Sequence, residues 1–401
     1  MLTTSKIMRT LLYICFFIHL FSCGGSEFVD LRYPILETHP ATDIDENGAT
    51  LNAVILETSN QKIVEYGFEI FASEVDPLNS TIIEVGKGLS DKNFSIRLQD
   101  RLVKDLQYFV RAYIKTQALT IRGNLVEFNS KGSKDSPWAV INRYDTNEYG
   151  ANTLKVNEGI VYVLSQGKEF YELNLQSNQV KVLPEPNTLG NSLGSDLASF
   201  ILSDTIYFYH NSNNGQLFKY NYNSMQWSAP SDLTIGGELR GDVHGFSYQN
   251  VGYLLTEDSL FEFDNKNNKW NKLHSFSPVD VTKIHHAQSS AYVFLKNHEL
   301  WNFDFINNVW TLVTKFPGDK EGPIISFLIN DKIYAGLSYS KRDFWQYSTD
   351  TDEWVEIESF PLPNSGSNRK LFEANSKGYF GFAFGFRRSI LFSFDPSRIP
   401  N

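Results

Sequence analysis

The sequence predicts an all-β protein in which a small sandwich precedes an array of repeated four-stranded sheets. Aromatic residues make up 14% of the chain and charged residues only 20%, a composition that favours strands over helices. A pattern about forty residues long also recurs, because "LFEFDNKNNKW" at Leu260–Trp270 returns as "LWNFDFINNVW" at Leu300–Trp310. Repeats of this length indicate units that become stable by packing on their neighbours.

The first residues have the layout of a secretory signal. Lys6 and Arg9 precede an apolar run from Leu11 to Phe21, which is too short to span a bilayer as a helix. The stretch "LFSC" at Leu20–Cys23 resembles the lipobox of bacterial lipoproteins. This resemblance implies cleavage after residue 22 and acylation of Cys23. The alternative is an ordinary signal peptide followed by an incidental cysteine.

Cysteine content and charge exclude several classes of function. The chain has two cysteines, Cys15 inside the predicted signal and Cys23 at its end, so the mature protein has no disulfide and no thiolate metal site. Residues 1–22 contain two of the 36 basic side chains and none of the 46 acidic ones, which leaves a formal charge of −12. Nucleic acids and anionic membrane surfaces attract basic proteins, so neither is expected to bind here. The expected membrane contact is the lipid anchor on Cys23.

A domain of short strands is predicted over residues 33–131, after a tether at residues 23–32. Its apolar runs alternate with polar residues, as a sheet with one solvated face requires. The stretch "LVKDLQYFVRAYIKT" at Leu102–Thr116 resembles the F strand of fibronectin type III-like modules. The resemblance implies an immunoglobulin-like sandwich in which Tyr108 ties a loop to the sheet. The following segment, Asn129–Pro137, has the composition of a loop-type linker.

Each later unit is predicted to contain two hairpins, and hence four short strands. An alternating aromatic run followed by a polar turn begins the second hairpin of each unit, at Glu169, Gln216, Ser259, Glu299, Asp343 and Ile390. A tyrosine marks the hairpin before it, at Tyr162, Tyr207, Tyr253, Tyr292, Tyr334 and Tyr379. Asp264, Asp304 and Asp395 suit the turns because a carboxylate accepts hydrogen bonds from the turn backbone.

This pattern resembles the kelch family of β-propellers over residues 136–401. The resemblance implies six blades, although the glycine pair typical of that family is mostly missing. The sixth unit ends before its tryptophan, so we expect Trp138 to supply it by pairing with the C-terminal strand around Leu391–Phe394. The alternative is that Trp138 belongs to an independent linker strand. With the lipobox, these features are typical of lipoproteins of a Bacteroidetes-like envelope. The outer membrane is the expected location, with the side of display left open.

Few sequence features indicate catalysis. The chain has no Gly-rich phosphate loop, no HExxH and no GxSxG motif. His285 and His286 are adjacent, so a strand directs them to opposite faces and they cannot share a metal ion. The kelch relatives that are copper oxidases need a cysteine linked to tyrosine, which the mature chain lacks. We therefore expect no cofactor and no metal.

The kelch resemblance also implies where a ligand binds. In that family the binding face is built from the loops before each first strand and between the second and third strands. Here these loops carry Arg240, Asp242, His244, Arg369 and Arg387, and arginine suits paired hydrogen bonds to carboxylates.

We expect a non-catalytic binding protein whose propeller face takes a protein or a glycan, held away from the membrane by the sandwich. Two alternatives remain at this stage. One is a sugar-modifying enzyme, similar to kelch relatives that interconvert sialic-acid anomers. The other is a purely structural spacer.

Overall fold

The protein is described from a computed structural model. It describes residues 32–57, 62–72, 80–88, 91–99, 102–133, 136–144, 151–165, 169–186, 197–210, 215–233, 235, 243–274, 280–287, 289–318, 324–338, 342–360, 369–382 and 389–399. These residues lie almost entirely in small antiparallel sheets, so the prediction of an all-β chain is confirmed. A short 3₁₀ helix follows the last strand at Pro396–Arg398. Within the described ranges, no helix has the length and apolar character needed to cross a bilayer.

The N-terminal unit consists of two facing sheets. Its strands are β1 (Ile35–Asp45), β2 (Gly48–Glu57), β3 (Ile63–Ala72), β4 (Thr81–Gly86), β5 (Asn93–Leu98), β6 (Gln107–Thr116), β7 (Thr120–Arg122) and β8 (Val126–Asn129). One sheet has the order β1-β2-β5, and the other has the order β4-β3-β6-β7 with β8 also paired to β6. Leu51, Phe68 and Val110 are buried on the inward faces. Tyr108 is buried, and its hydroxyl accepts a hydrogen bond from the Val103 N–H (2.9 Å), so it ties the preceding loop to the sheet as predicted.

The remaining strands form six further antiparallel sheets among the described residues, numbered here in chain order. They begin with β9 (Trp138–Tyr144). Sheet one is β10 (Ala151–Asn157), β11 (Ile160–Ser165), β12 (Phe170–Asn174) and β13 (Gln179–Leu183). Sheet two is β14 (Leu197–Leu202), β15 (Thr205–His210), β16 (Gln216–Asn221), β17 (Gln226–Trp227) and β18 (Ser231–Asp232). Sheet three is β19 (His244–Tyr248), β20 (Val251–Leu255), β21 (Leu260–Asp264) and β22 (Lys269–His274).

The other three sheets repeat this arrangement. Sheet four is β23 (Val281–His286), β24 (Ser290–Leu295), β25 (Glu299–Asp304) and β26 (Val309–Lys315). Sheet five is β27 (Ile325–Ile329), β28 (Lys332–Gly336), β29 (Phe344–Ser348) and β30 (Glu353–Ile357). Sheet six is β31 (Arg369–Ala374), β32 (Lys377–Phe382) and β33 (Ser389–Phe394), completed by β9.

The first strands of these six sheets contact one another in a closed cycle. β10 contacts β14, β14 contacts β19, β19 contacts β23, β23 contacts β27, β27 contacts β31, and β31 contacts β10. The other strands of each sheet follow in order away from the first, except that β9 completes sheet six. The sheets therefore stand side by side with their first strands innermost.

Sheet six takes its outer strand from the other end of the sequence. β9 pairs antiparallel with β33, and Trp138 lies opposite Phe394. The Trp138 ring is 1% exposed and lies within 4.8–5.8 Å, between ring centroids, of Phe344, Phe360, Phe380 and Phe394. Phe344 belongs to sheet five, so the indole fills the space between two sheets as well as joining the two ends of the cycle.

Other outer-strand tryptophans make comparable contacts with the preceding sheet. Trp227 of sheet two lies 5.2 Å from Phe170 of sheet one, and Trp270 of sheet three lies 5.7 Å from Tyr209 of sheet two. Each indole is thus a wedge between neighbouring sheets. Burial of so large a ring contributes several kcal/mol of hydrophobic stabilisation.

In most of the six sheets, the recurring tyrosine of the second strand lies opposite a phenylalanine of the first strand. Phe200 stacks on Tyr207, Phe246 on Tyr253 and Phe372 on Tyr379, with ring centroids 4.9–5.1 Å apart. In sheet five, Phe327 also lies opposite a tyrosine, Tyr334.

Glycines accommodate two of these phenylalanines in the neighbouring sheet. A Cβ on Gly252 would lie 2.3 Å from the Phe200 ring, and a Cβ on Gly378 would lie 2.5 Å from the Phe327 ring. Both glycines immediately precede the tyrosine of their own sheet. The ring of one sheet therefore occupies the space that a side chain of the next sheet leaves empty.

The described part of the segment between the two units contains buried serines. Composition alone predicted a loop-type linker, yet Ser130, Ser133 and Ser136 are each no more than 2% exposed. The Ser133 hydroxyl donates to the Leu102 carbonyl (3.1 Å), and the Val140 N–H donates to the Lys104 carbonyl (3.4 Å). One cluster of buried apolar residues extends from the sandwich through this segment to sheets five and six.

Replacing Trp138 with alanine is expected to destabilise the protein by about 3–5 kcal/mol, because it empties a buried aromatic site shared by two sheets. Urea unfolding followed by intrinsic fluorescence measures the change. Val182→Ala is the control: Val182 is 70% exposed on the outer strand β13, so its replacement should shift stability by less than about 0.5 kcal/mol. Equal midpoints for Trp138→Ala and wild type would contradict a stabilising role for the indole.

Replacing Gly378 with alanine is expected to cost about 1–3 kcal/mol, because the new methyl group overlaps the Phe327 ring. Gly381→Ala on the same strand is the matched control, since a Cβ there meets its nearest atom at 3.6 Å, an ordinary contact. Thermal unfolding of the two variants side by side measures the difference. If both variants melt at the same temperature, the close approach of Phe327 does not limit this position.

Candidate functional site

Two of the residues predicted to bind a ligand, His244 and Arg369, each begin the first strand of a sheet. In an antiparallel four-stranded sheet, the start of the first strand and the connection between the second and third strands lie at the same end. His244 begins β19 and Arg369 begins β31, while Arg387 belongs to the connection between β32 and β33. The topology therefore places the backbones of His244 and Arg369 at the same end of their sheets.

The structure describes little of the predicted set itself. Arg240, Asp242 and Arg387 lie outside the described residues, as does the predicted lipidation site Cys23. For Arg369 only the backbone is described. His244 is half-buried and lies opposite Leu255 of β20. The convergence of the five side chains on one ligand stays a prediction.

A different group of polar residues lies among the innermost strands. It consists of Lys283 and His285 on β23, Ser326 on β27 and Glu373 on β31, and is called here the axial polar cluster. These three strands are the first strands of sheets four, five and six. In the sequence, the pair His285 and His286 raised only the question of a shared metal ion, and nothing there indicated the partners of His285.

The cluster is held together by short contacts. His285 Nε2 lies 2.8 Å from Ser326 Oγ, and His285 Nδ1 lies 2.8 Å from Glu373 Oε1. The second contact is electrostatic, because the ring N–H is not aligned well enough with the carboxylate for a hydrogen bond. Lys283 Nζ donates to the Leu371 carbonyl of β31 (3.1 Å), and the Leu328 N–H donates to Glu373 Oε1 (3.3 Å).

These contacts reach across the inside of the cycle. β23 belongs to sheet four and β31 to sheet six, and the cycle places sheet five between them. The Lys283 and His285 side chains nevertheless meet residues of β31 directly. The cluster therefore links three consecutive sheets at their innermost strands.

Burial is very unequal within the cluster. Ser326 is 0% exposed and His285 is 2% exposed, whereas the Glu373 side chain keeps 29% of its surface accessible. Glu373 is therefore the most accessible of these three side chains. His286, the next residue along β23, is exposed, which confirms that the two histidines point to opposite faces.

The surroundings shift the ionisation of two members. Burial lowers the pKa of His285 below its ordinary value, and the nearby Glu373 carboxylate opposes that effect without cancelling it. Burial acts to raise the pKa of Glu373, but the charge of Lys283, the contact with His285 and the Leu328 N–H outweigh it and lower the pKa to about 2. At neutral pH the carboxylate is thus ionised and the imidazole is neutral.

The cluster occupies a position where the repeat pattern changes. The position concerned is the first-strand residue that pairs with the recurring tyrosine of the second strand. It is phenylalanine in sheets two, three, five and six, but in sheet four His285 pairs with Tyr292. In sheet five the residue before the tyrosine is Ile333, where sheets three and six have Gly252 and Gly378. Aligning the repeats on their tyrosines would have revealed this departure in the sequence.

The order Ser326, His285, Glu373 resembles an arrangement that activates a serine nucleophile. Ser326 is fully buried within a strand, however, so a substrate carbonyl cannot reach its hydroxyl. Among the described residues, no three His, Cys, Asp or Glu side chains gather closely enough to hold a metal ion. The geometry of the cluster therefore supports a structural role.

A shallow groove of about 570 Å³ lies on the outer face of β1, β2 and β5 in the sandwich. Three of its lining residues, His39, Asn52 and Ser95, are direct cross-strand neighbours. The Asn52 amide donates to the Pro40 carbonyl (3.3 Å) and to the Thr42 hydroxyl (3.1 Å), which holds the irregular part of β1 in place. The groove presents hydroxyl and amide groups together with the His39 imidazole, which lies 4.0 Å from the Glu37 carboxylate.

The chain matches no protein-family model and no curated protein. Solved structures that resemble it include YjhT, with 12% identity, a TM-score of 0.48 and coverage of 61% of this chain and 94% of that chain. An auxiliary nutrient binding protein from Bacteroides thetaiotaomicron VPI-5482 has 9% identity, a TM-score of 0.46 and coverage of 90% and 98%. A protein of unknown function from the same organism has 9% identity, a TM-score of 0.45 and the same coverage. These values are too low to transfer a function.

Proposed function

We propose that the protein is a lipid-anchored binding protein of a bacterial envelope. In this proposal a fibronectin type III-like sandwich over residues 33–131 carries a six-bladed kelch-like β-propeller over residues 136–401. The single observation that carries the proposal is the closed cycle of six innermost strands. A closed cycle gathers the loops of all six sheets at one end, where a ligand can touch several of them at once.

The residue types at that end favour an anionic or polar ligand. Arg240, Arg369 and Arg387 occur in or beside its loops, in a chain whose net charge after residue 22 is −12. Arginines concentrated at one end of an acidic protein are suited to carboxylates, through paired charge-assisted hydrogen bonds. A glycan bearing a sugar acid, or an acidic protein surface, is therefore the proposed ligand class.

Binding is preferred to the alternative of a sugar-modifying enzyme. Among the described residues, the group that most resembles a catalytic arrangement contains Ser326 and His285, which a substrate cannot reach. The packed segment around Ser133 supports a sandwich that holds the propeller in a fixed orientation. Such a rigid joint suits presentation of a binding face at a distance from the membrane.

Arg240→Ala and Arg369→Ala are each expected to weaken ligand binding about tenfold or more, since an interaction of 1.4 kcal/mol corresponds to a factor of ten. Glycan arrays and calorimetry with sugar acids, using the chain without residues 1–23, measure the effect. Arg398→Ala is the matched control, because Arg398 follows the end of β33 and so lies at the opposite end of the cycle. Unchanged binding in both test variants would exclude the proposed face, and a screen with no glycan ligand would direct the search to a protein partner.

Cys23→Ala is expected to move the protein from the membrane fraction to the soluble fraction of expressing cells. The physical reason is that two or more acyl chains anchor a protein stably, at about 0.8 kcal/mol for each buried methylene, whereas the acidic surface adds no attraction for anionic lipids. Metabolic labelling with a fatty acid and fractionation measure the change, with Cys15→Ala as the control. Incorporation of label by Cys23→Ala would contradict lipidation at this residue.

A further inference from the structure

The charges of the axial polar cluster balance only while His285 is neutral. The titratable or charged side chains that face His285 are Lys283 on its own strand, Tyr292 opposite it on β24, and Glu373 on β31. β27 contributes the neutral Ser326. Lys283 and Glu373 carry opposite charges, so a proton on His285 would leave one positive charge uncompensated among buried groups. Such a charge is costly in a low-dielectric interior.

The hydrogen bonds of the cluster also depend on the neutral ring. An ionised carboxylate can only accept, so we place the single ring proton on Nδ1, facing Glu373, and Nε2 then accepts from the Ser326 hydroxyl at 2.8 Å. A second proton on Nε2 converts this acceptor into a donor. Ser326 is 0% exposed, so its hydroxyl hydrogen would then have to find another acceptor without help from solvent.

We propose that the axial polar cluster is an acid-released lock, which holds sheets four, five and six together across the inside of the cycle until His285 becomes protonated. The lock replaces the phenylalanine contact used by the neighbouring sheets, such as Phe327 against Gly378. A phenylalanine contact is indifferent to pH, whereas the His285 contacts are not. This inference concerns the interior and does not depend on which ligand the loops bind.

The direction of the pH effect follows from proton binding. Because the pKa of His285 is lowered in the folded protein, the unfolded chain takes up a proton near pH 6.5 while the folded chain does not. Stability is therefore fully present above about pH 6.5 and is lost as pH falls toward the lower folded value. The pKa of Glu373 is about 2 in the folded protein against an ordinary value of 4.5, so a second loss of stability follows as pH falls from 4.5 toward 2.

Two variants of the full chain test the lock. The double variant His285→Phe with Ile333→Gly introduces the phenylalanine–glycine pair that Phe327 and Gly378 form between sheets five and six, and removes the titrating ring. Urea unfolding at pH 7.5 and at pH 5.5 is compared with wild type. Below pH 6.5 the folding constant of the wild type is expected to fall more steeply than that of the double variant. The difference between the two should be up to about tenfold for each pH unit. His39→Gln is the control, because His39 lies on the exposed face of the sandwich, and it should behave as wild type.

Two measurements on the wild type keep the test independent of how well the double variant folds. An NMR titration of the assigned His285 ring should give a midpoint below pH 6.5. Hydrogen exchange, corrected for its intrinsic pH dependence, should become faster at pH 5.5 in β23, β27 and β31 and stay unchanged in the sandwich. An ordinary His285 midpoint, equal pH dependence in wild type and the double variant, or uniform exchange across the chain would each overturn the proposal.

Discussion

The structure depends on closing a cycle of sheets, none of which buries both of its faces alone. Closure requires that the last sheet finds an outer strand, and β9 supplies it from a point just after the sandwich. Trp138 then packs against aromatic rings of sheets five and six and is almost completely buried. The long sequence separation makes this pairing entropically costly to form, but once formed it removes the two exposed sheet faces of an open array.

The same joint explains why the sandwich is more than a flexible spacer. The chain passes from β8 to β9 through three buried serines, and it is hydrogen-bonded to the Leu102 and Lys104 backbones of the sandwich. Arg342, just before the third strand of sheet five, also donates to the Thr81 hydroxyl of β4 (3.0 Å). The two units share buried apolar surface at the place where the cycle closes. The same buried apolar cluster therefore contributes both to closing the cycle and to holding the sandwich against it.

The interior shows two ways of joining neighbouring sheets. Two contacts insert an aromatic ring into space left by a glycine, Phe200 beside Gly252 and Phe327 beside Gly378, and gain stability from burial alone. The axial polar cluster instead uses His285, Ser326 and Glu373, whose contacts are directional and whose charges must balance. Polar interior networks of this kind are stable only when each member is satisfied. In the proposed lock, that condition makes the contacts among sheets four to six sensitive to protonation, while the ligand face proposed at the loops depends on other residues.

The sequence by itself determined the local structure, because strand alternation and turn chemistry act over a few residues. Asp264 and Asp304 accept hydrogen bonds from their own turns as expected, the first from Lys266 N–H (3.1 Å) and the second from Ile306 N–H (2.7 Å). The recurring tyrosines likewise indicated the spacing of the strands. Only the tertiary structure decided which side chains meet across sheets, since His285 and Ser326 are 41 positions apart and Lys283 and Leu371 are 88 apart. It also decided that Ser130, Ser133 and Ser136, in a segment with linker composition, are buried, because burial depends on neighbours that local composition does not specify.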